Sequence, residues 1–466
     1  MGMRWGCLLV WLGMVACGEA SSVSAQACPA GVATRVKRVH PPGSDTYGRV
    51  EHLTDVQGTL FFSTDSVSSA PVLWRSDGTE AGTTQVRVFP SGDDSFLGGF
   101  AAVGPTLYFF HHAPEAGLEL WASDGTGRGT RRVKPLTLAE GVDVGMATEV
   151  DGRLLFVLDV MMRPPQLWSS DGTAAGTVKL LDLEGALGLA YARTLKVAKG
   201  WLFFRLEAGG TTLWRSDGTA VGTRLVARLD QGETWVEQVA GAGDLGLFVL
   251  RDGPNAEVWK TDGTTEGTVR LDTFGTQARV LGVLGGQVSL GVSTEEGTVR
   301  LVRLSLAGGG RTYVATLPNP GLDLVADVQR STVSGGQLYF SVAYGGPSPV
   351  PLDAKLWVTD GTAAGTRALF GPLLRDEERG SPVFATGGGP VLFVAGNDTR
   401  LWSTQGAPST TGRVVSLSPE APVFPAEAFT RAGSRVYFSA VDETGLRQLW
   451  SVPASFSCPP GARGAR

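Results

Sequence analysis

Six aspartates stand in one recurring setting: Asp77, Asp124, Asp171, Asp217, Asp262 and Asp360 each follow a serine or threonine and precede Gly-Thr. A carboxylate so placed can ligate calcium or can accept backbone N–H groups in a turn. Calcium loops need oxygen donors at alternate positions, Asp-x-Asp-x-Asp-Gly, to crowd enough ligands around the ion. These blocks lack that alternation. An aspartate that bonds amides two residues on, followed by a glycine that accepts the left-handed conformation, is turn chemistry. The six are therefore expected to be structural, with no metal bound. His111-His112 is the only pair of adjacent histidines. Neighbours on a strand or loop edge point apart, so a solvated loop is expected there, not a metal site. Asp93, Asp94, Glu184, Glu233, Asp376 and Glu377 lie in variable segments, where two carboxyls at the right separation could hydrolyse a glycosidic bond. Spacing alone cannot bring any two of them together, and solvated loop charge is the expectation. No Gly-x-Ser-x-Gly, His-Glu-x-x-His or Gly-Lys-Ser/Thr sequence occurs, so Gly308-Gly309-Gly310 and Gly387-Gly388-Gly389 read as turns and not as nucleotide cradles. No catalytic residue and no cofactor is expected.

The elements that must position these groups repeat. The pattern Leu-Trp-x-Ser/Thr-Asp-Gly-Thr-x-x-Gly-Thr covers 73–83, 120–130, 167–177, 213–223, 258–268 (with valine leading) and 356–366. Its tryptophans are Trp74, Trp121, Trp168, Trp214, Trp259 and Trp357, with weaker copies at Trp402 and Trp450. The usual step is about 47 residues, and one double-length gap separates Trp259 from Trp357. Within that gap 301–312 reads as a decayed copy, with Arg303 at the tryptophan position and Thr312 as the closing threonine, which brings the count to nine units. Upstream of most tryptophans lies an apolar run such as Leu60-Phe61-Phe62, Leu107-Tyr108-Phe109 or Leu202-Phe203-Phe204, commonly preceded by a glycine. Such runs bounded by turn residues predict strands, four to a unit, with the tryptophan strand third.

Short strands at even spacing with one aromatic motif per unit predict an all-β fold: a single large β-propeller of eight or nine four-stranded blades. An open solenoid is the alternative. Residues 34–39 read as a fourth strand with no unit before it, and Gln448-Leu449-Trp450 as a third strand with no fourth after it. Pairing the N-terminal strand with the last blade closes the ring and removes exposed sheet edges. The eight tryptophans are assigned to packing between neighbouring sheets, so Trp168→Ala should lower thermal stability more than it changes any binding.

The chain has 466 residues and a formal charge of -5 with no basic stripe, which excludes the electrostatic footprint of nucleic-acid binding. Residues 1–16 carry one charge, Arg4, then an apolar stretch too short to span a membrane. Met14-Val15-Ala16-Cys17 resembles a bacterial lipoprotein box, which implies acylation of Cys17. Ala25-Gln26-Ala27 is a competing cleavage site. The expected organisation is a signal at 1–16, a tether at 17–33, the propeller at 34–452 and a tail at 453–466. Cys28 and Cys458 bracket the array, and a disulfide between them is expected to tie the ends together.

The blocks resemble the bacterial repeat family named for its Glu-Leu-Trp-x-x-Asp-Gly-Thr signature, which Glu119-Leu120-Trp121-Ala122-Ser123-Asp124-Gly125-Thr126 matches at every defined position. They also look like the Asp-box hairpin of sialidase propellers. The resemblance implies a secreted or surface repeat protein and brings no activity with it. Connections from strand two to three and from four to one share the end opposite the constant hairpins, and that variable end is the expected working face. The function expected is that of a non-catalytic lipoprotein of the cell envelope, periplasmic or surface-facing, held to the membrane by its lipid and binding a protein or glycan. A polysaccharide hydrolase or lyase on a propeller, and a self-assembling surface protein, are the alternatives.

Overall fold

The computed structural model describes residues 31–44, 48–66, 69–92, 95–113, 115–138, 141–161, 163–183, 194–197, 200–207, 210–229, 234–321, 324–345, 353–374, 382–396, 400–416 and 427–456. Nine antiparallel sheets follow one another along the chain, most meeting their neighbours through the first strand, and together they make a nine-bladed β-propeller. Blades 1 to 8 span 49–88, 96–137, 142–182, 194–228, 234–274, 278–317, 325–370 and 383–413. Blade 9 takes three strands from 427–453 and its fourth from Val32–Lys37.

Closure is made by that N-terminal strand. Thr34 pairs with Ser451, Arg35 with Trp450 and Lys37 with Leu449 in antiparallel register, while Val32 and Ala33 run parallel to Val415 and Ser416 of the preceding blade. Gln448, fully buried, finishes the seam. Its Oε1 accepts the backbone N–H groups of Val39 at 2.7 Å and His40 at 3.1 Å, and its Nε2 donates to the His40 carbonyl at 2.9 Å. Outside it, Arg35 and Arg38 both reach Glu443, at 2.8 and 2.6 Å. These contacts among the described residues are all noncovalent. The expected Cys28–Cys458 disulfide is corrected accordingly: no disulfide bond occurs among the described residues, and both cysteines lie outside them, as does Cys17.

Strand register explains the tryptophans. In eight blades the tryptophan of strand three stands directly opposite a phenylalanine of strand two: Phe62 with Trp74, Phe109 with Trp121, Phe156 with Trp168, Phe203 with Trp214, Phe248 with Trp259, Phe340 with Trp357, Phe393 with Trp402 and Phe438 with Trp450. The rings stack offset, as at Phe62–Trp74, 5.9 Å apart and 12° from parallel. A residue two before the tryptophan shares its face of the strand. In several blades that residue receives the indole N–H: Glu119 at 3.0 Å, Gln166 at 3.1 Å and Glu257 at 3.0 Å. The glutamate of Glu-Leu-Trp is thus an acceptor for its own tryptophan.

Blade 6 requires a correction. Its bulge falls between Leu301 and Val302, where blades 1 to 5 and 7 have theirs just before the tryptophan, and Val302 faces Leu290. Val302, not Arg303, therefore holds the tryptophan position, and Thr312, opposite Arg303, lies inside the fourth strand as Thr84 does opposite Arg75. Arg303 matches Arg75 and Arg215, and like Arg215 it reaches the next blade: its guanidinium donates to the Gly361 carbonyl at 3.2 Å, and that of Arg215 to Gly263 at 3.4 Å.

Those glycines belong to the Asp-Gly-Thr hairpins, which lean on the preceding blade. Gly172 has a φ of +87°, and a Cβ there would sit 2.3 Å from the Tyr108 hydroxyl of blade 2. Both its backbone conformation and the inter-blade approach demand glycine.

Candidate functional site at the variable end of the inner strands

In the six hairpins the same bonds recur. Asp77 Oδ1 accepts the Thr79 N–H at 2.9 Å and the Thr79 hydroxyl at 2.7 Å, Gly78 N–H donates to Ser76 Oγ, and the Thr83 hydroxyl returns to the Thr79 carbonyl at 2.6 Å. Asp124, Asp171, Asp217, Asp262 and Asp360 repeat the Asp–Thr pair. The hydrogen bonds from the threonine hold the carboxyls of Asp77, Asp124, Asp171, Asp217 and Asp360 below the usual carboxylate range. Because these pKa values are depressed in the folded state, the stabilisation is complete above the unfolded value of about 3.9 and is lost as pH falls through the folded values. Changing all five aspartates to asparagine keeps an acceptor in each turn and removes the titration. As pH falls from about 4.5 through the unfolded value and below it, the melting temperature of the variant should fall less than that of the wild type. Parallel curves by circular dichroism would refute this assignment of the acid sensitivity.

The histidine pair departs from the expected solvated loop. His111 and His112 lie in a strand, Thr106–Ala113, and point to opposite sides. His112 stacks on Phe96, 5.4 Å between ring centres, while His111 is buried against Phe89, at 4.8 Å, and the Glu119 carboxylate. Burial lowers the His111 pKa, with Glu119 opposing. His111 is closed off from any ligand. In blade 1, His52 sits at a bulge with a φ of 57° and brings Nδ1 to 2.9 Å from Ser63 Oγ. Ser63 is buried, so this serine–histidine contact has no route to a substrate.

Polar groups do converge at the variable end of blades 5 to 7. Inner strands begin at this end, and most carry a bulge a few residues in: between Val236 and Gln238, Val280 and Gly282, and Val328 and Ser331. Two places before each bulge break the residues are Trp235, Arg279 and Asp327, which therefore occupy equivalent positions on three consecutive blades. Glu237 is the bulged residue of blade 5. A cavity of about 270 Å³ opens here, lined by Glu237, Gln277, Arg279, Ser293, Asp327 and Val328. The inner strands of blades 5 and 6 are clamped by Gln238, whose side-chain amide exchanges two 2.8 Å bonds with the Val280 backbone. Arg279 is steadied by the Gln329 carbonyl at 3.3 Å, and Arg251 Nε lies 3.6 Å from Glu237.

Burial raises the Asp327 pKa and the charge of Glu237 raises it further, against Arg279 and the Val328 N–H. Asp327 therefore keeps its proton to higher pH than an exposed aspartate, and the Glu237 carboxylate lies beside the Arg251 guanidinium. A carboxyl of raised proton affinity near a second carboxyl is the pairing that acid–base chemistry uses.

These residues were not among the sequence candidates. Asp93, Asp94, Glu184, Glu233, Asp376 and Glu377 lie outside the described residues. Arg251 lies inside the strand Leu245–Asp252, at the end that leads into the connection from strand two to strand three. Among the described residues no group of three or more His, Cys, Asp or Glu side chains could hold a metal ion. No helix among them is long and apolar enough to cross a membrane.

No protein family and no curated protein matches the chain. Among solved structures it is similar to a prolyl endopeptidase (12% identity, TM-score 0.41, covering 76% of this chain and 55% of that one). It is also similar to puromycin hydrolase (14%, TM-score 0.38, 79% and 61%) and to oligogalacturonate lyase in complex with manganese (13%, TM-score 0.38, 66% and 87%). The chain spans less than two thirds of the first two. All three are named as enzymes, so these likenesses lend the expectation of a non-enzymatic chain no support, and that expectation is withdrawn.

Proposed function

We propose that the protein is an exported, lipid-anchored propeller of the Glu-Leu-Trp-x-x-Asp-Gly-Thr repeat kind that takes a glycan at the cavity on the variable end of blades 5 to 7 and hydrolyses it there. The observation that carries the reading is the pair Asp327 and Glu237 in one cavity, the first raised in proton affinity by burial and the second neighboured by Arg251. Asp327 donates a proton to the departing glycosidic oxygen as the anomeric C–O bond breaks. Glu237 takes the proton of the water whose oxygen replaces it.

The test is release of reducing ends from a panel of neutral and acidic polysaccharides by the purified chain. Asp327→Asn should lower turnover by about 10²–10⁴-fold. Asp159, half-buried opposite Asp143 in blade 3, is the control, since burial and that neighbour raise its proton affinity too. Asp159→Asn should leave turnover unchanged. Because the donor must be protonated, turnover should decline as pH rises through the elevated Asp327 value. Full activity in Asp327→Asn would sink the assignment.

A further inference from the structure

Trp235 is half exposed on an inner strand, whereas the tryptophans of the Leu-Trp motif are buried or partly buried between sheets. It stands opposite Arg251 in the ladder, so both side chains lie on the same face of the blade 5 hairpin, and Glu237 reaches that face too, 3.6 Å from Arg251 Nε. Arg251 is 13% exposed at its side chain, and its Nη1 is buried without a hydrogen-bond partner. Among the described residues that N–H has no partner, which leaves a donor of the guanidinium for a water or for a polar group of a ligand. An exposed indole face beside it calls for an apolar one.

One class of ligand carries both surfaces on one ring. A pyranose presents a C–H face to an aromatic plane and hydroxyls at its edge, which can accept from Arg251 Nη1 and donate to Glu237. We propose that Trp235, Arg251 and Glu237 form a sugar subsite next to the Asp327 cavity, with the sugar ring stacked on Trp235 and its edge hydroxyls bonded to Arg251 and Glu237. This rests on the glycan reading above and adds where the second sugar unit sits. The site selects uncharged pyranose units, because the guanidinium already has a carboxylate beside it and the pair has no net charge to offer an ionic sugar.

The experiment is calorimetric titration of the purified chain with hexasaccharides of glucose, N-acetylglucosamine, xylose and mannose, run with Trp235→Ala, Trp235→Phe and Asp327→Asn. At least one hexasaccharide should bind the wild type. Trp235→Ala should weaken that binding about tenfold and Trp235→Phe much less, a ring face being what is lost. Both variants should melt with the wild type, since the side chain is half in solvent. Asp327→Asn should bind normally and turn over about 10²–10⁴-fold more slowly. Equal affinity of Trp235→Ala and wild type overturns the subsite, even where hydrolysis stands. Binding that depends on Trp235 with no turnover by the wild type keeps the subsite and overturns hydrolysis. No binding of any hexasaccharide by the wild type overturns the subsite, and if no reducing ends are released from the polysaccharide panel either, hydrolysis falls with it.

Discussion

A chain lacking residues 31–40 should unfold in two steps and at a lower temperature than the intact protein, and a peptide of that sequence added in excess should restore a single step. The strand Val32–Lys37 contributes few residues, but they join the first and last blades through the ladder to Ser451, Trp450 and Leu449 and through buried Val36 and Val39. Without them blade 9 presents an open third strand, and blades 1 and 9 lose the neighbour each needs to bury a face. The peptide rescue separates loss of pairing from general damage, since a ligand that binds only the folded state stabilises it by mass action. Gln448→Ala isolates the seam within the full chain. Three buried backbone groups, the N–H of Val39 and both polar groups of His40, lose their partner together. At roughly 1–3 kcal/mol for each group left unsatisfied, with part recovered by water, about 3–5 kcal/mol of stability should go. Denaturant melts measure it. A variant unfolding at the wild-type midpoint, or a deletion that melts like the intact chain, would mean the ring does not depend on this strand.

The architecture was legible because it is written once per blade. Apolar runs, tryptophans and Asp-Gly-Thr turns recur with a period that only stacked sheets can use, and the unpaired strand sequences at the two ends announce their pairing. Blade 6 was misread by one residue, because a motif without its tryptophan gives no anchor for register. Only the ladder, with Val302 facing Leu290, settles it. The site was illegible for a different reason. Glu237 and Asp327 sit on inner strands that look like ordinary alternating strands, and a bulge re-aims side chains without leaving a sequence signature. Their closeness is a matter of three blades turning about a common axis, which no spacing along the chain encodes. His111 was misjudged because polarity suggested solvent, whereas Phe89 and Glu119 enclose it.

Trp450→Ala should cost about 3–5 kcal/mol, the range for truncating a buried aromatic, and more than Trp168→Ala. Sequence makes the two tryptophans equivalent, and the structure does not. Trp450 is 1% exposed and packs with Phe438, Val436, Val452 and Phe456 in the core shared by blades 8 and 9. Its indole N–H donates to the Ala440 carbonyl at 3.1 Å, so truncation both opens a cavity and orphans a buried acceptor. Trp168 is only partly buried, and its N–H goes to the Gln166 side chain, which can turn to water when the ring is gone. Blade 6 shows that the ring tolerates a site without tryptophan, but there both partners are smaller, Leu290 with Val302, and the sheet has packed around them. Removing one member of a Phe–Trp pair leaves the other facing a void that neighbours on rigid strands cannot fill. The same logic places Trp450 at the ring's weakest joint, because Arg35 of the closing strand pairs with it directly. Its loss should therefore also make the melting transition broader, as the closing strand loosens before the rest. Equal destabilisation by Trp450→Ala and Trp168→Ala, measured by urea denaturation, would show that burial and closure do not rank these positions.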